Sequence, residues 1–143
     1  MKLVPLVFSA LLILLFACGT PPANAPTASD PARETARSVV LVVAEAVHAA
    51  DSACAAVAIT RRSPELADRC VVAYKVARAA VLSAGSGIDA WDAASRGAIA
   101  CSVVAAGRAL TAMHAVLREF GGDIPAVITD ALALVPLLSG VCK

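Results

Sequence analysis

Aromatic residues are scarce in this chain of 143 residues: three Phe, one Tyr and one Trp, 3% in all. A β-domain draws on aromatic and β-branched side chains, and a base-stacking surface needs exposed rings. The shortage argues against both. Charge is scarce too. Charged residues make up 16%, and twelve basic side chains against eleven acidic ones leave a net charge of +1. A nucleic-acid binder of the basic-patch kind needs a surplus of positive charge, and an acidic disordered tail needs the opposite surplus. Apolar residues fill the space, at 59% of the chain with 34 alanines. Alanine is the best helix former, so this is the composition of closely packed helices. The length suits one domain better than two. No segment reads as a strand.

The N-terminus reads as an address. Lys2 supplies a positive start, and residues 6–17 form an apolar run of twelve, interrupted only by Ser9. As a helix it would span about 18 Å, short of the ~30 Å hydrocarbon core of a bilayer. This is the length of a signal-peptide core. It ends in Leu15-Phe16-Ala17-Cys18-Gly19, which resembles the lipobox of bacterial lipoproteins, although Phe16 stands where that pattern usually has a smaller residue. The resemblance implies that residues 1–17 are a lipoprotein signal peptide cut before Cys18. The Cys18 thiol would carry diacylglycerol, and its new amine a fatty acid such as palmitate. Two or three acyl chains hold a protein stably on a membrane, where one is marginal. By the family's enterobacterial sorting rule, Gly19 in place of Asp directs the product to the outer rather than the inner membrane of a two-membrane cell. The other readings are an ordinary signal peptide near a free cysteine and an uncleaved anchor.

Residues 18–32 follow as a tether. Prolines 21, 22, 26 and 31 among small polar residues oppose helix and offer nothing to bury. At ~3 Å per residue, such a segment could hold a domain up to ~40 Å from the lipid surface.

From residue 33 the apolar period approaches 3.6, predicting a helical domain over 33–143. The expected fold class is all-α: an antiparallel up-down bundle of about four helices, over 32–59, 64–84, 88–120 and 124–138. The first has an apolar stripe at Ala36, Val39, Val40, Val43, Val47, Ala50, Cys54 and Ala58. The second opens with Ser63 as N-cap and Pro64 at N1, and Gly85 and Gly87 close it. The third turns Ile88, Trp91, Ala94, Ala98, Cys101, Ala105, Met113, Val116 and Phe120 inward. Gly97 and Gly107 inside it suit a neighbour that approaches closely. The fourth, capped by Asp123 and bent or ended by Pro136, is apolar nearly all round. It reads as the most buried helix or as a binding surface.

Five cysteines is an odd number for an exported chain. With lipid on Cys18, four remain, and hairpin register pairs them. Cys54 and Cys70 each lie eight residues from Arg62, the centre of the first turn. The same register faces Val43 with Val81 and Val47 with Ala77. Cys101 and Cys142 lie about equally far from the Gly121-Gly122 turn. The expected bridges are therefore Cys54–Cys70 and Cys101–Cys142. Four buried free thiols are the alternative. No C-x-x-C occurs, and neither His48 nor His114 stands in helical register with a cysteine, so no zinc or haem site and no cofactor is expected.

Catalytic motifs are missing. Gly85-Ser86-Gly87 lacks the spacing of a nucleophile elbow, and no phosphate-binding glycine loop follows a strand. The acid pairs Glu65/Asp68 and Asp89/Asp92 fit helix N-termini, where carboxylates are favoured. Arg61-Arg62 reads as a solvated turn, and Arg78 and Arg108 as cations snorkelling from the bundle edge. The expectation is a lipid-anchored cell-envelope protein, not an enzyme. It would be a small helical binding or structural module that meets the membrane through Cys18 and an envelope protein or the cell wall through its domain. Alternatives are a carrier of an apolar ligand or acyl chain, a small multi-span membrane protein, and a mobile-element lipoprotein that masks a surface receptor.

Overall fold

Asp30 starts the first helix. In a computed structural model, which describes residues 30–140 and 142, its side chain accepts a hydrogen bond of 2.9 Å from the Ala32 amide, and Pro31 takes the first turn. The expected signal peptide, Cys18 and the expected tether up to residue 29 lie outside the described residues. Four helices follow: α1 (Pro31–Arg61), α2 (Pro64–Ala90), α3 (Ala93–Glu119) and α4 (Ala126–Ser139). Among the described residues there is no strand.

Helix α1 ends because Arg62 turns left-handed, at φ 51°, and the Ser63 amide closes back on the Ala58 carbonyl at 3.1 Å. Ser63 then caps α2 by accepting from the Leu66 amide. Helix α2 runs on through Gly85 and Gly87 to Ala90, past the expected stop at residue 84. Neither glycine adopts a positive φ, so neither ends the helix. At Gly87 an added Cβ would stand 2.7 Å from Ile99 of α3, so the glycine serves close packing instead. The break falls at Trp91, and Asp92 with Ser95 forms a capping box that starts α3 at Ala93, not at residue 88. Ile88 and Trp91 thus belong to α2 and its cap. Asp123 does not cap α4. Pro125 precedes that helix with no side-chain cap, and Pro136 sits inside it without stopping it before Ser139.

Around the bundle α2 meets α1 and α3, and α4 meets the same two from the other flank. Helices α1 and α3 also touch each other, so they share the core between the flanks. The stripe expected on α1 is buried from Ala36 to Cys54. On α3 the expected stripe is only partly right. Met113 and Val116 are buried, but Ala94, Ala98 and Ala105 are exposed. Ile99, Val103, Val104, Leu110 and Leu117 face the core instead. A central helix touching three neighbours buries more than one stripe. Helix α3 is therefore the most buried helix, and α4, with only Ile128, Ala131 and Leu138 fully covered, is not. Two disulfides tie the bundle: Cys54–Cys70 joins α1 to α2, with Cα atoms 6.2 Å apart, and Cys101–Cys142 joins α3 to the segment after α4, at 4.8 Å.

The glycines of α3 divide by surroundings. A Cβ on Gly107 would run into the Val135 side chain of α4, whereas one on Gly97 would meet nothing within 4 Å. Gly107→Ala is expected to destabilise the fold by about 1–3 kcal/mol through overpacking, and Val135→Ala in the same chain to recover most of the loss. Gly97→Ala is expected to stabilise it by up to about 1 kcal/mol through helix propensity. Urea unfolding of the three variants checks both signs.

Candidate functional site

Among the described residues, two places concentrate polar chemistry or exposed apolar surface. The first is the end of the bundle where α1 begins. Trp91 stands in the α2–α3 break at φ 26°, a conformation unusual for a bulky side chain. Its indole N–H donates to the Asp30 carboxylate at 2.6 Å, across 61 positions of sequence. The Arg96 guanidinium lies over the Trp91 ring at 5.1 Å and within 3.7 Å of Asp30. The buried Arg96 Nε has no hydrogen-bond partner among the described residues. Arg33 Nε donates to the Ile88 carbonyl at 3.1 Å. One carboxylate thus caps α1, receives the indole and faces a guanidinium, so the first described residue is fixed to the turn between α2 and α3. The Trp91 bond does most to hold the Asp30 carboxyl below its ordinary pKa, helped by the Ala32 and Arg33 amides and Arg96 and opposed by burial.

The second place is an open trough of about 920 Å³ between α2 and α3. Its walls and floor are Val72, Ala73, Val76, Ala105, Ala109, Ala112, Ala115 and Val116, with Asp68, Arg69 and Arg108 at the edges. The trough exists because alanines on α3 fill little of the space beside the valines of α2. Arg69 is engaged: it bonds Glu119 at 2.9 Å and lies over Phe120 at 6.0 Å. That bond lowers the Glu119 pKa. Arg108 has no ion-pair partner among the described residues. Both Arg78 and Arg108 are exposed. A smaller cavity of about 130 Å³ lies on the other side of α2, where His48, Tyr74 and Arg78 surround Val47, Val81 and Leu82.

The remaining residues singled out in the sequence lie apart. Glu65 is in the first turn of α2, and Asp92 caps α3, but Asp89 falls in the last turn of α2 rather than on α3. His48 is exposed and His114 half-buried. Arg61 and Arg62 are exposed at the end of α1, where Arg61 approaches Gly121. Among the described residues no three His, Cys, Asp or Glu side chains come together as metal ligands. Sequence reasoning missed both the Asp30–Trp91–Arg96 cluster and the trough. The one available signal for the first was Asp30 before Pro31, a helix-start pair inside what reads as tether. Compared with known proteins, the chain matches no family model, no curated protein and no solved structure.

A carboxylate with a depressed folded pKa stabilises the fold above its unfolded pKa and loses that contribution as pH falls through the folded value. Stability is therefore expected to decline as the pH is taken below 3.8, the ordinary value for Asp30. In Asp30→Asn the decline should be shallower, yet still present, because Asp92 and Glu119 are also lowered. Urea midpoints across that range check this, and identical acid limbs in the two proteins would contradict it.

Proposed function

We propose that this chain is a cell-envelope lipoprotein: a helical, disulfide-stapled module anchored by lipid on Cys18, acting by contact rather than by catalysis. The observation that carries the reading is the pairing of all four cysteines of the helical region. Disulfides form and persist outside the reducing cytosol, which favours an exported chain. Cys18 is then the cysteine left for lipid, next to an apolar run of signal-peptide length. Within the module we read the helices as an up-down antiparallel bundle. The short turn at Arg62-Ser63 and the Cys54–Cys70 bond, placed symmetrically about it, support that order. The anchor puts the protein on a membrane surface, the outer membrane where a cell has two, with an envelope protein or the cell wall as partner.

A second reading has its own support. Helices α1, α2 and α3 are each long and apolar enough to cross a membrane by length and composition. Spanning would place Lys75 and Arg78 of α2, and Arg108 of α3, within hydrocarbon, where cations are costly. The anchored module avoids that cost. The trough also favours a carrier of an apolar ligand, yet it lies open along the surface instead of enclosing a cavity.

Intact mass of the membrane-extracted protein tests the anchor. The expected mass is that of a chain starting at Cys18 plus two or three acyl groups, and Cys18→Ser is expected to remain uncleaved and unacylated. A wild-type chain that keeps residues 1–17 without added lipid would refute the reading.

A further inference from the structure

We infer that the solvent-facing side of α2, together with the trough beside it, is a docking surface for an anionic lipid bilayer, so that the anchored domain lies against the membrane instead of standing away from it on its tether. This rests on the lipoprotein reading for the tether that brings the domain to lipid.

The first ground is exposed apolar surface. Of the six large hydrophobic side chains left exposed among the described residues, four are on α2: Val71 at 44%, Val72 at 64%, Val76 at 54% and Leu82 at 62%. Helix α2 buries only Leu66, Cys70, Ala77, Ala84 and Ile88, which turn to the opposite side. Val72 and Val76 also form the wall of the trough, so the apolar surface continues onto the alanines of α3.

The second ground is charge. No Asp or Glu occurs from residue 71 to 88 or from residue 93 to 118. Over that stretch the outward side of α2 carries Lys75 and Arg78, and the trough edge carries Arg108, all exposed and none in an ion pair among the described residues. The carboxylates of α2 stand at its ends, at Glu65, Asp68 and Asp89. Acid therefore reaches this surface only at the end of the trough where Asp68 stands, and the stretch beyond it carries cations alone. A helix that lies in a membrane interface has this composition: an apolar strip sinks to the headgroup boundary, and the basic side chains beside it reach the phosphates.

The third ground separates lipid from a protein partner. Protein interfaces depend on bulky anchors such as Trp, Tyr and Arg set in closed pockets. The apolar part of this face is Val, Ala and Leu, and its trough is open. A bilayer needs only apolar area and positive charge, and both are present.

The test uses the full chain in vesicles, with a photoreactive residue placed at Val76 or, as control, at Leu41 on the outer side of α1. In vesicles containing phosphatidylglycerol, Val76 is expected to yield several-fold more covalent lipid adduct than Leu41. The excess should disappear in pure phosphatidylcholine and in a Lys75→Glu, Arg78→Glu, Arg108→Glu chain, whose changes are all on the surface. Equal adducts at the two positions would overturn the inference, as would adducts from Val76 to protein in place of lipid. Acyl mass measured on the same samples reads the anchor separately. An acylated chain without the adduct overturns this face alone, and an unacylated chain overturns the lipoprotein reading.

Discussion

Small side chains are the constraint on which this structure depends. Nine of the 26 buried hydrophobic residues among those described are alanine, and no aromatic residue is among them. Each buried methylene is worth about 0.8 kcal/mol, and a fully buried Leu or Val about 1.5–3 kcal/mol. An alanine core therefore lets helices approach closely while gaining little per residue. The two disulfides act where that gain is thin. With sequence separations of 16 and 41 residues, chain entropy assigns them about 3 and about 4 kcal/mol. Against a typical total of about 5–15 kcal/mol, that is a large share. The larger core residues, Leu66, Ile99, Leu110, Met113, Leu117 and Ile128, give the packing its specificity.

The same constraint shapes the surface. Where α2 and α3 meet the outside, alanines on one helix and valines on the other leave a trough, because nothing bulky fills it. The opposite holds at the end of the bundle where α1 begins. There the single Trp of the chain, an Arg and an Asp form one cluster, and the left-handed Trp91 is held by bonds from both sides. The first described residue is fixed firmly, while the trough side is lined mainly by small apolar residues.

Legibility in the sequence followed side-chain chemistry. Ser63-Pro64 announced the start of α2 because capping is local, and the stripe from Ala36 to Cys54 announced the buried side of α1 because valine prefers the interior. The cysteine pairs were readable because helices joined by a short turn face each other in fixed register. Alanine carries no such information. Ala94, Ala98 and Ala105 read as core and are exposed, while α3 buries residues around more of its circumference than one stripe. Glycine misled at Gly85 and Gly87, where close packing rather than a turn explains at least Gly87. Asp123 had the chemistry of a cap but lay too far before Ala126. The Asp30–Trp91 bond joins residues too distant in sequence for any local rule, and the trough is an absence of volume, which no motif records.

Two specific covalent bonds hold this alanine-rich helical module together. A non-reducing tryptic map tests this directly, because Arg and Lys positions place Cys54, Cys70, Cys101 and Cys142 on four separate peptides. Two cross-linked pairs are expected, Cys54 with Cys70 and Cys101 with Cys142, each released by reduction. Free thiols at these positions, or a cross-link between the pairs or to Cys18, would contradict it.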